Sequence, residues 1–456
     1  MRKNVFKRLA ALILAALFAL CLLTGCAAGV KPEPSATGEP ERTALPTTEP
    51  SPTAAPVTKA DYVAAKPKDR QALTRQERFE SAERAGNISA FTERLMKELL
   101  NENEGENIAL SPVNIYIALA MLSETVGGST REEILSALGV SDAAALREQV
   151  RAIIDAESVE GEDERTMCRI ADSLWLNNAY PFNTDVLETL ADSYDASSFW
   201  GDPSDAGFSD ALRGWLNENT GGLLKDSVKN IELDPATVIA LCSTVWYKAM
   251  WNNLYTESAN TVETFRGADG NTECTFMHKS NMNIAYHMGE GFVAVKDSFA
   301  GLGGVWYLLP DEGVSVEDML LNGGMDFILS DKSENVRYDS LVRYTVPKYD
   351  LRADINLVGM LRKLGVKSCF DPASADFSPL TAADGLYVSE VKHSARIKAD
   401  EDGIEAAAYT IELVCGAAEP TELVEIDLTL DRPFVLVITG VTGLPLFIGA
   451  VNSMNN

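Results

Sequence analysis

Few side chains in this 456-residue sequence are of types that do chemistry in concert. The three histidines, His278, His287 and His393, are scattered along the chain. Three are too few for a multi-histidine metal centre or an extended proton relay, so neither a metal nor a cofactor is expected. The sequence has no GxSxG elbow, no GxxxxGK[ST] loop and no HExxH helix. Gly301-Leu302-Gly303-Gly304 is rich in glycine but leads into a strand pattern rather than a helix, which is not how a phosphate is cradled. Acid pairs such as Glu132-Glu133 and Glu401-Asp402 follow from density alone. With 67 acidic against 39 basic residues the net charge is −28, and such pairs read as solvated faces. A glycosidase would need a buried pair, which no motif marks. Beyond residue 26 the cysteines are Cys168, Cys242, Cys274, Cys369 and Cys415, an odd number with no CxxC spacing. They read as buried thiols outside any disulfide framework. An enzyme is not expected.

One segment does have unusual physical properties: Glu401-Asp402-Gly403-Ile404-Glu405-Ala406-Ala407-Ala408-Tyr409-Thr410. It follows a strand-like run and precedes a stretch rich in Gly, Pro and acids. One reading is a short alanine-rich surface helix, because Ala is the best helix former. The other is a segment that lives in two environments, with side chains small enough to slide between existing strands.

The elements around it are mixed. Ile88, Phe91, Leu95, Met96 and Leu99 fall on one face of a helix over 88–100. Ser111-Pro112 starts a second helix, and Thr130 with Glu133 is expected to form a capping box for a third that ends near Gly139. Further amphipathic helices are expected over 207–217 and 354–364. Strand-like runs cover 237–247, 305–309, 342–347, 386–397, 424–430 and 434–439. Helices crowd the first half and strands the second, which predicts an α+β fold. So acidic a surface excludes nucleic-acid binding through a broad basic face.

The N-terminus points outside the cell. Residues 1–8 are basic and 9–23 form one apolar run, too short for a bilayer-spanning helix but suited to a signal-peptide core. Leu23-Thr24-Gly25-Cys26 resembles the lipobox of bacterial lipoproteins, in which the bond before the cysteine is cut and the thiol is diacylated. The resemblance implies a signal peptide over 1–25 and a lipid anchor at Cys26, on the extracellular face of a bacterial membrane. Residues 31–56 hold seven of the 19 prolines and read as an extended tether. The tether is expected to run to residue 84, with one domain over 85–456.

That domain resembles a serpin throughout its length. Glu401, Gly403, Glu405, Ala406, Ala407 and Ala408 match the reactive-loop hinge of the family, E-x-G-[ST]-E-A-A-A. Asn107, Ser111, Pro112, Ala118, Leu119, Ala120 and Met121, followed by Gly127, Gly128, Thr130, Glu133, Ile134 and Leu138, resemble its shutter motif. Trp215, Asn219, Thr220, Gly221 and Leu223, then Trp246-Tyr247-Lys248 with Trp251, continue the series. Pro347-Lys348-Tyr349, Leu364-Gly365, Asp431-Arg432-Pro433-Phe434 and Pro445-Leu446-Phe447-Ile448-Gly449 complete it in order.

The resemblance implies three β-sheets, about eight to nine helices and an exposed reactive-centre loop. It also implies a mechanism. A serine protease cuts the loop and forms an acyl-enzyme, and the hinge then inserts as a new strand in the central sheet before deacylation. On a strand period Ile404, Ala406, Ala408 and Thr410 would face inward and Glu405, Ala407 and Tyr409 outward. The family's register puts the cut between Ala417 and Ala418, although the stretch from Gly403 to Pro433 is longer than usual and the bond could lie downstream. With no Arg or Lys between Ile404 and Asp431, the expected targets are elastase-like or subtilisin-like rather than trypsin-like. Ser111, Asn114, Ser243 and His393 align with a hydrogen-bonding shutter, with Asn114 and Ser243 exchanged relative to the usual order. Trp251 falls at the breach, where the hinge begins its insertion.

The chain departs from the family at Ile404, where inhibitory members carry Thr or Ser, and at Ala249, where the motif has Gly. Glu412 would be an awkward inward residue further along the path. The expected partner is a serine protease, bound by a monomer. Two rivals stay open: a non-inhibitory serpin acting as a cell-surface binding module, and a tethered hydrolase or solute-binding lipoprotein.

Overall fold

A computed structural model describes residues 62–103, 105–159, 166–301, 303–330, 335–389, 391–404 and 423–454. Its strands form three sheets. The first has seven, in the order β1 (Val63–Ala65), β4 (Ala196–Gly201), β3 (Thr166–Asn177), β5 (Ile239–Met250), β14 (Gly403–Ile404), β13 (Lys392–Ala399) and β12 (Tyr349–Asn356). The second has six: β2 (Ile108–Leu110), β17 (Pro445–Val451), β16 (Phe434–Thr439), β10 (Gly304–Pro310), β9 (Phe292–Ser298) and β8 (Tyr286–Gly289). The third has four: β15 (Val424–Thr429), β11 (Ser340–Pro347), β7 (Gly270–Met282) and β6 (Thr261–Gly267).

Seven helices of eight residues or more accompany them among the described residues: α1 (Arg75–Ala82), α2 (Ser89–Glu102), α3 (Pro112–Thr125), α4 (Gly128–Leu138), α5 (Ala143–Glu157), α6 (Thr184–Tyr194) and α7 (Ala206–Asn219). Shorter helical turns, among them Val358–Lys363, bring the total above the eight or nine expected. The β3–α6–β4 unit gives one of two parallel pairings among the described residues; β11 with β15 is the other.

Sequence patterns account for the layers. Every residue of β10, β16 and β17 is buried, so their apolar runs are covered on both faces. In β13 alternate residues are buried, leaving one face to the core. Helix α3 is buried along almost its whole length. Its first turn carries Pro112, and the Asn114 N–H donates to the Ser111 hydroxyl at 3.3 Å, a cap of the kind that stabilises a helix by about 1 kcal/mol. On the opposite face of the first sheet α7 packs Phe208, Leu212 and Trp215 against Trp175 and Phe199 as a separate apolar cluster.

Four expectations are revised. The Thr130–Glu133 capping box does not form, because α4 begins at Gly128 and Thr130 lies inside it. Glu133 instead accepts from Lys367 N, Ser368 N and the Ser368 hydroxyl, 2.7 Å each. The helix expected over 354–364 is only Val358–Lys363, since Asp354–Asn356 end β12. The strand expected over 386–397 begins at Lys392. The folded body also begins before the expected boundary at residue 84. Val63 and Ala65 pair with β4 at the edge of the first sheet, and Thr74 and Glu77 make a true capping box for α1. The Tyr62 hydroxyl donates to Asp205 at 2.8 Å and Lys68 pairs with Asp192 at 2.9 Å. Residues 1–61, with the expected signal peptide, Cys26 and the proline-rich tether, lie outside the described residues.

Candidate functional site: the opening of the first sheet

The hinge leaves β13 through a tight reversal. Asp400 N donates to Gly403 O at 3.0 Å and Asp402 N to the Asp400 carboxylate at 3.2 Å, a local turn bond that Asp readily makes. The chain then returns as β14. Ile404 stands opposite Ala399 of β13 and Ala249 of β5, and Gly403 opposite Met250. Among the described residues β5 and β13 have no register with each other, and the two residues of β14 are the only strand between them. Gly403 has no room for a side chain: a Cβ there would lie 2.1 Å from Ala249 O and 2.8 Å from Met250 Cα. Ile404 is 3% exposed and belongs to the main core. Glu405, Ala406, Ala407 and Ala408, the Ala417–Ala418 bond and Cys415 lie outside the described residues.

Trp251, just past the end of β5, fixes this reversal. Its main-chain N–H donates to Asp402 O at 3.1 Å and its indole N–H to Asp400 O at 2.8 Å. Tyr255 N adds a bond to Glu401 O at 3.2 Å. The Glu401 carboxylate pairs with Lys348 at 2.5 Å and accepts from the Asn260 amide. Burial pushes that carboxyl up, but the Lys348 and Asn260 bonds outweigh it and hold it below its usual range. Behind Trp251 sits an ion pair that sequence reasoning missed. Lys279 Nζ is 2.7 Å from Asp297, both buried, and 4.0 Å from the Tyr255 ring centre. The Tyr255 hydroxyl donates to Asp297 at 3.0 Å, so the pair's lone pairs and protons are shared out. Lys279 and Asp297 sit on different sheets, β7 and β9, and no local spacing joins them.

Lower in the gap the four expected shutter residues come together. Ser111 N donates to His393 Nε2 at 3.1 Å, which requires that ring nitrogen to be unprotonated. Burial pushes the His393 pKa down to about 4. The Ser243 hydroxyl donates to Asn114 O at 3.5 Å. That bond uses the Asn114 main-chain carbonyl and not the side-chain amide that the expected exchange with Ser243 would call on. Ser111, Asn114 and His393 line a small cavity closed by Val245 and Trp246 of β5 and by Ala395 and Arg396 of β13. On the outer side Arg396 donates to Leu223 O at 2.8 Å and holds Asp350 through two bonds, 2.6 and 2.7 Å. A strand entering the whole gap must therefore lift the segment that follows α7.

Nothing in this arrangement is a nucleophile with an adjacent base. The described cysteines are free thiols, and burial pushes Cys242 and Cys369 up to about 12. What the geometry offers is a place for an extended segment: a sheet held apart at one interior position, with a hairpin of its own chain started in the opening.

The model of the family "Serpin (serine protease inhibitor)" matches residues 86–454. The chain belongs to the serpin family. A serpin-like protein of Thermococcus kodakarensis is 29% identical over 372 residues, covering 79% of this chain and 84% of that one. The crystal structure of the thermophilic serpin tengpin in its native state superposes with a TM-score of 0.71 at 26% identity, over 87% of this chain and 99% of that one. Human thyroxine-binding globulin, a complex with thyroxine, shares the fold with a TM-score of 0.70 at 22% identity, over 83% of this chain and all of the other. The fold is that of the serpins, with three sheets and mixed α and β content, in a family whose members are mostly protease inhibitors rather than catalysts.

Proposed function

We propose that this protein traps serine proteases by inserting its own cleaved loop into the first sheet. The observation that carries the reading is the pairing of Gly403 and Ile404 between β5 and β13, which are otherwise unpaired with each other. A strand begun at the correct edge lowers the entropy of adding the rest, because the nucleating contacts are already made. Ile404, the residue that argued most for a non-inhibitory protein, is accommodated in the core without displacing its neighbours' register.

The cut falls at or just beyond Ala417–Ala418, and the small residue before it suits elastase-like or subtilisin-like enzymes. The chain is held at the outer face of a bacterial membrane by diacylated Cys26 through the proline-rich tether. A loop extended from an anchored body would meet proteases at the cell surface.

Incubating the full chain with pancreatic elastase, subtilisin and trypsin, followed by denaturing gels and mass spectrometry of the released C-terminal peptide, tests the reading. A detergent-resistant complex with one of the first two, and a single cut between Val414 and Thr421, is expected. Cleavage without complex and without a gain in thermal stability would leave a serpin that serves as a binding module. Mass spectrometry of the mature N-terminal peptide checks the anchor: a diacylated Cys26 is expected, and an unmodified N-terminus elsewhere would refute it.

A further inference from the structure

The core-facing side of β3 runs Cys168, Ile170, Asp172, Leu174, Leu176, and all five are buried. Asp172 is the one acid in that row, 1% exposed, and neither of its carboxylate oxygens has a hydrogen-bond partner of good geometry among the described residues. A buried carboxylate without donors is among the costliest groups a core can hold in its charged form. Its cross-strand neighbour on β5 is Ser243, the shutter serine whose hydroxyl is directed at Asn114 O. Its neighbour on β4 is Ala196.

Among the described residues, the charged groups around it supply no compensating cation. Asp195, just before β4, adds a like charge whose own partners are Arg151 of α5 at 2.8 Å and Arg70 at 3.5 Å. Arg151 is shared further with Asp155. From α3 come the uncharged Ser111 and Asn114, while the acid of that helix, Glu124, is held by Arg147 and by the Tyr194 hydroxyl of α6. From β5 comes the Cys242 thiol, which burial keeps uncharged.

Insertion of a strand between β5 and β13 requires the block β1–β4–β3–β5 to move relative to β13–β12 and to α3 beneath it. Asp172 travels with that block. We propose that Asp172 is a proton-operated lock on sheet opening: protonated, it donates to Ser243 and lets the closed block sit on α3; ionised, it leaves an unpaired buried charge that is relieved when the block shifts. The lock rests on the loop-inserting function proposed above and adds its regulation.

The sign follows from burial. Burial, with a smaller contribution from Asp195, raises this carboxyl to about 7 against the partial offset of Ser243. The closed sheet therefore binds the proton more tightly than an opened one, loses stability as pH rises from about 4 to about 7, and opens most readily above that range.

The test follows, on urea gels at one elevated temperature, the rate at which the uncut full chain converts to a urea-resistant, loop-inserted form. Wild type is expected to convert about ten-fold faster at about pH 8 than at about pH 5.5, and Asp172→Asn to differ by less than about two-fold between them. Conversion with the same pH profile in both proteins overturns the lock while leaving the inserting function intact. No conversion at any pH, with no heat resistance gained on loop cleavage, overturns the inserting function and the lock together. Should Asp172→Asn fail to fold, carboxyl-carbon NMR of aspartate-labelled wild type decides. One aspartate titrating between about pH 6 and 8 is expected, and none doing so refutes the proposal.

Discussion

Gly403 is the position where a single methyl group should separate trapping from simple cleavage. A Cβ there would sit 2.1 Å from Ala249 O and 2.8 Å from Met250 Cα, both main-chain atoms of β5 that no rotamer change can move. Ordinary contact begins near 3.4 Å, so Gly403→Ala must push the hinge and β5 apart by more than about 1 Å. That breaks the Gly403–Met250 and Ile404–Ala249 pairings and lifts Ile404 out of the core. Overpacking of this kind costs about 1–3 kcal/mol, which slows insertion by roughly 5- to 150-fold if it falls on the inserting state. Because trapping is a race between insertion and deacylation, the loss appears as cleaved inhibitor with free protease. The assay is densitometry of complex against cleaved chain on denaturing gels at equimolar protease. Wild type should run chiefly as complex and Gly403→Ala chiefly as cleaved chain, with the same rate of loop cutting. An unchanged ratio, with an unchanged thermal midpoint, would refute the argument that β14 nucleates insertion.

Three further outcomes are expected. Lys348→Ala removes a partly exposed pair with Glu401, worth about 0.5–1 kcal/mol, and should speed spontaneous conversion of the uncut chain about two- to five-fold on urea gels. His393, neutral with a pKa lowered to about 4, makes the native protein lose stability as pH falls from about 6.5 toward about 4. Asp172 titrates with the opposite sign over the same range, so the contrast is read in the Asp172→Asn background: unfolding free energies from urea titrations at about pH 7.5 and about pH 4.5 should differ by up to about 3 kcal/mol there, and by clearly less once His393→Gln is added. Lys279→Met strands the buried Asp297 carboxylate and should cost about 3–5 kcal/mol in denaturant unfolding, a loss that adding Asp297→Asn partly recovers.

The sequence revealed those parts of the molecule whose signals are local. Ser111-Pro112 marked the start of α3, and the run Phe434–Thr439 marked a strand because a central strand covered on both faces is apolar throughout. Long-range partners were not legible. Thr130 and Glu133 have the spacing of a capping box, but Glu133 is claimed by Lys367 and Ser368, more than two hundred residues away. Residues 62–82 read as tether because they are polar and short of apolar periodicity, yet they hold the body through a strand edge and surface ion pairs. The Lys279–Asp297 pair and the isolation of Asp172 depend on sheet register alone. In a chain of −28 net charge a single mid-strand acid carries no signal until its neighbours are known.

The most direct test of the account is the thermal midpoint of the full chain before and after the loop is cut by a metalloprotease, which forms no acyl-enzyme and cannot be trapped. Completion of the strand begun by Gly403 and Ile404 predicts a large upward shift on cutting. An unchanged or lowered midpoint would contradict it, because the opening between β5 and β13 would then not be a place for the loop.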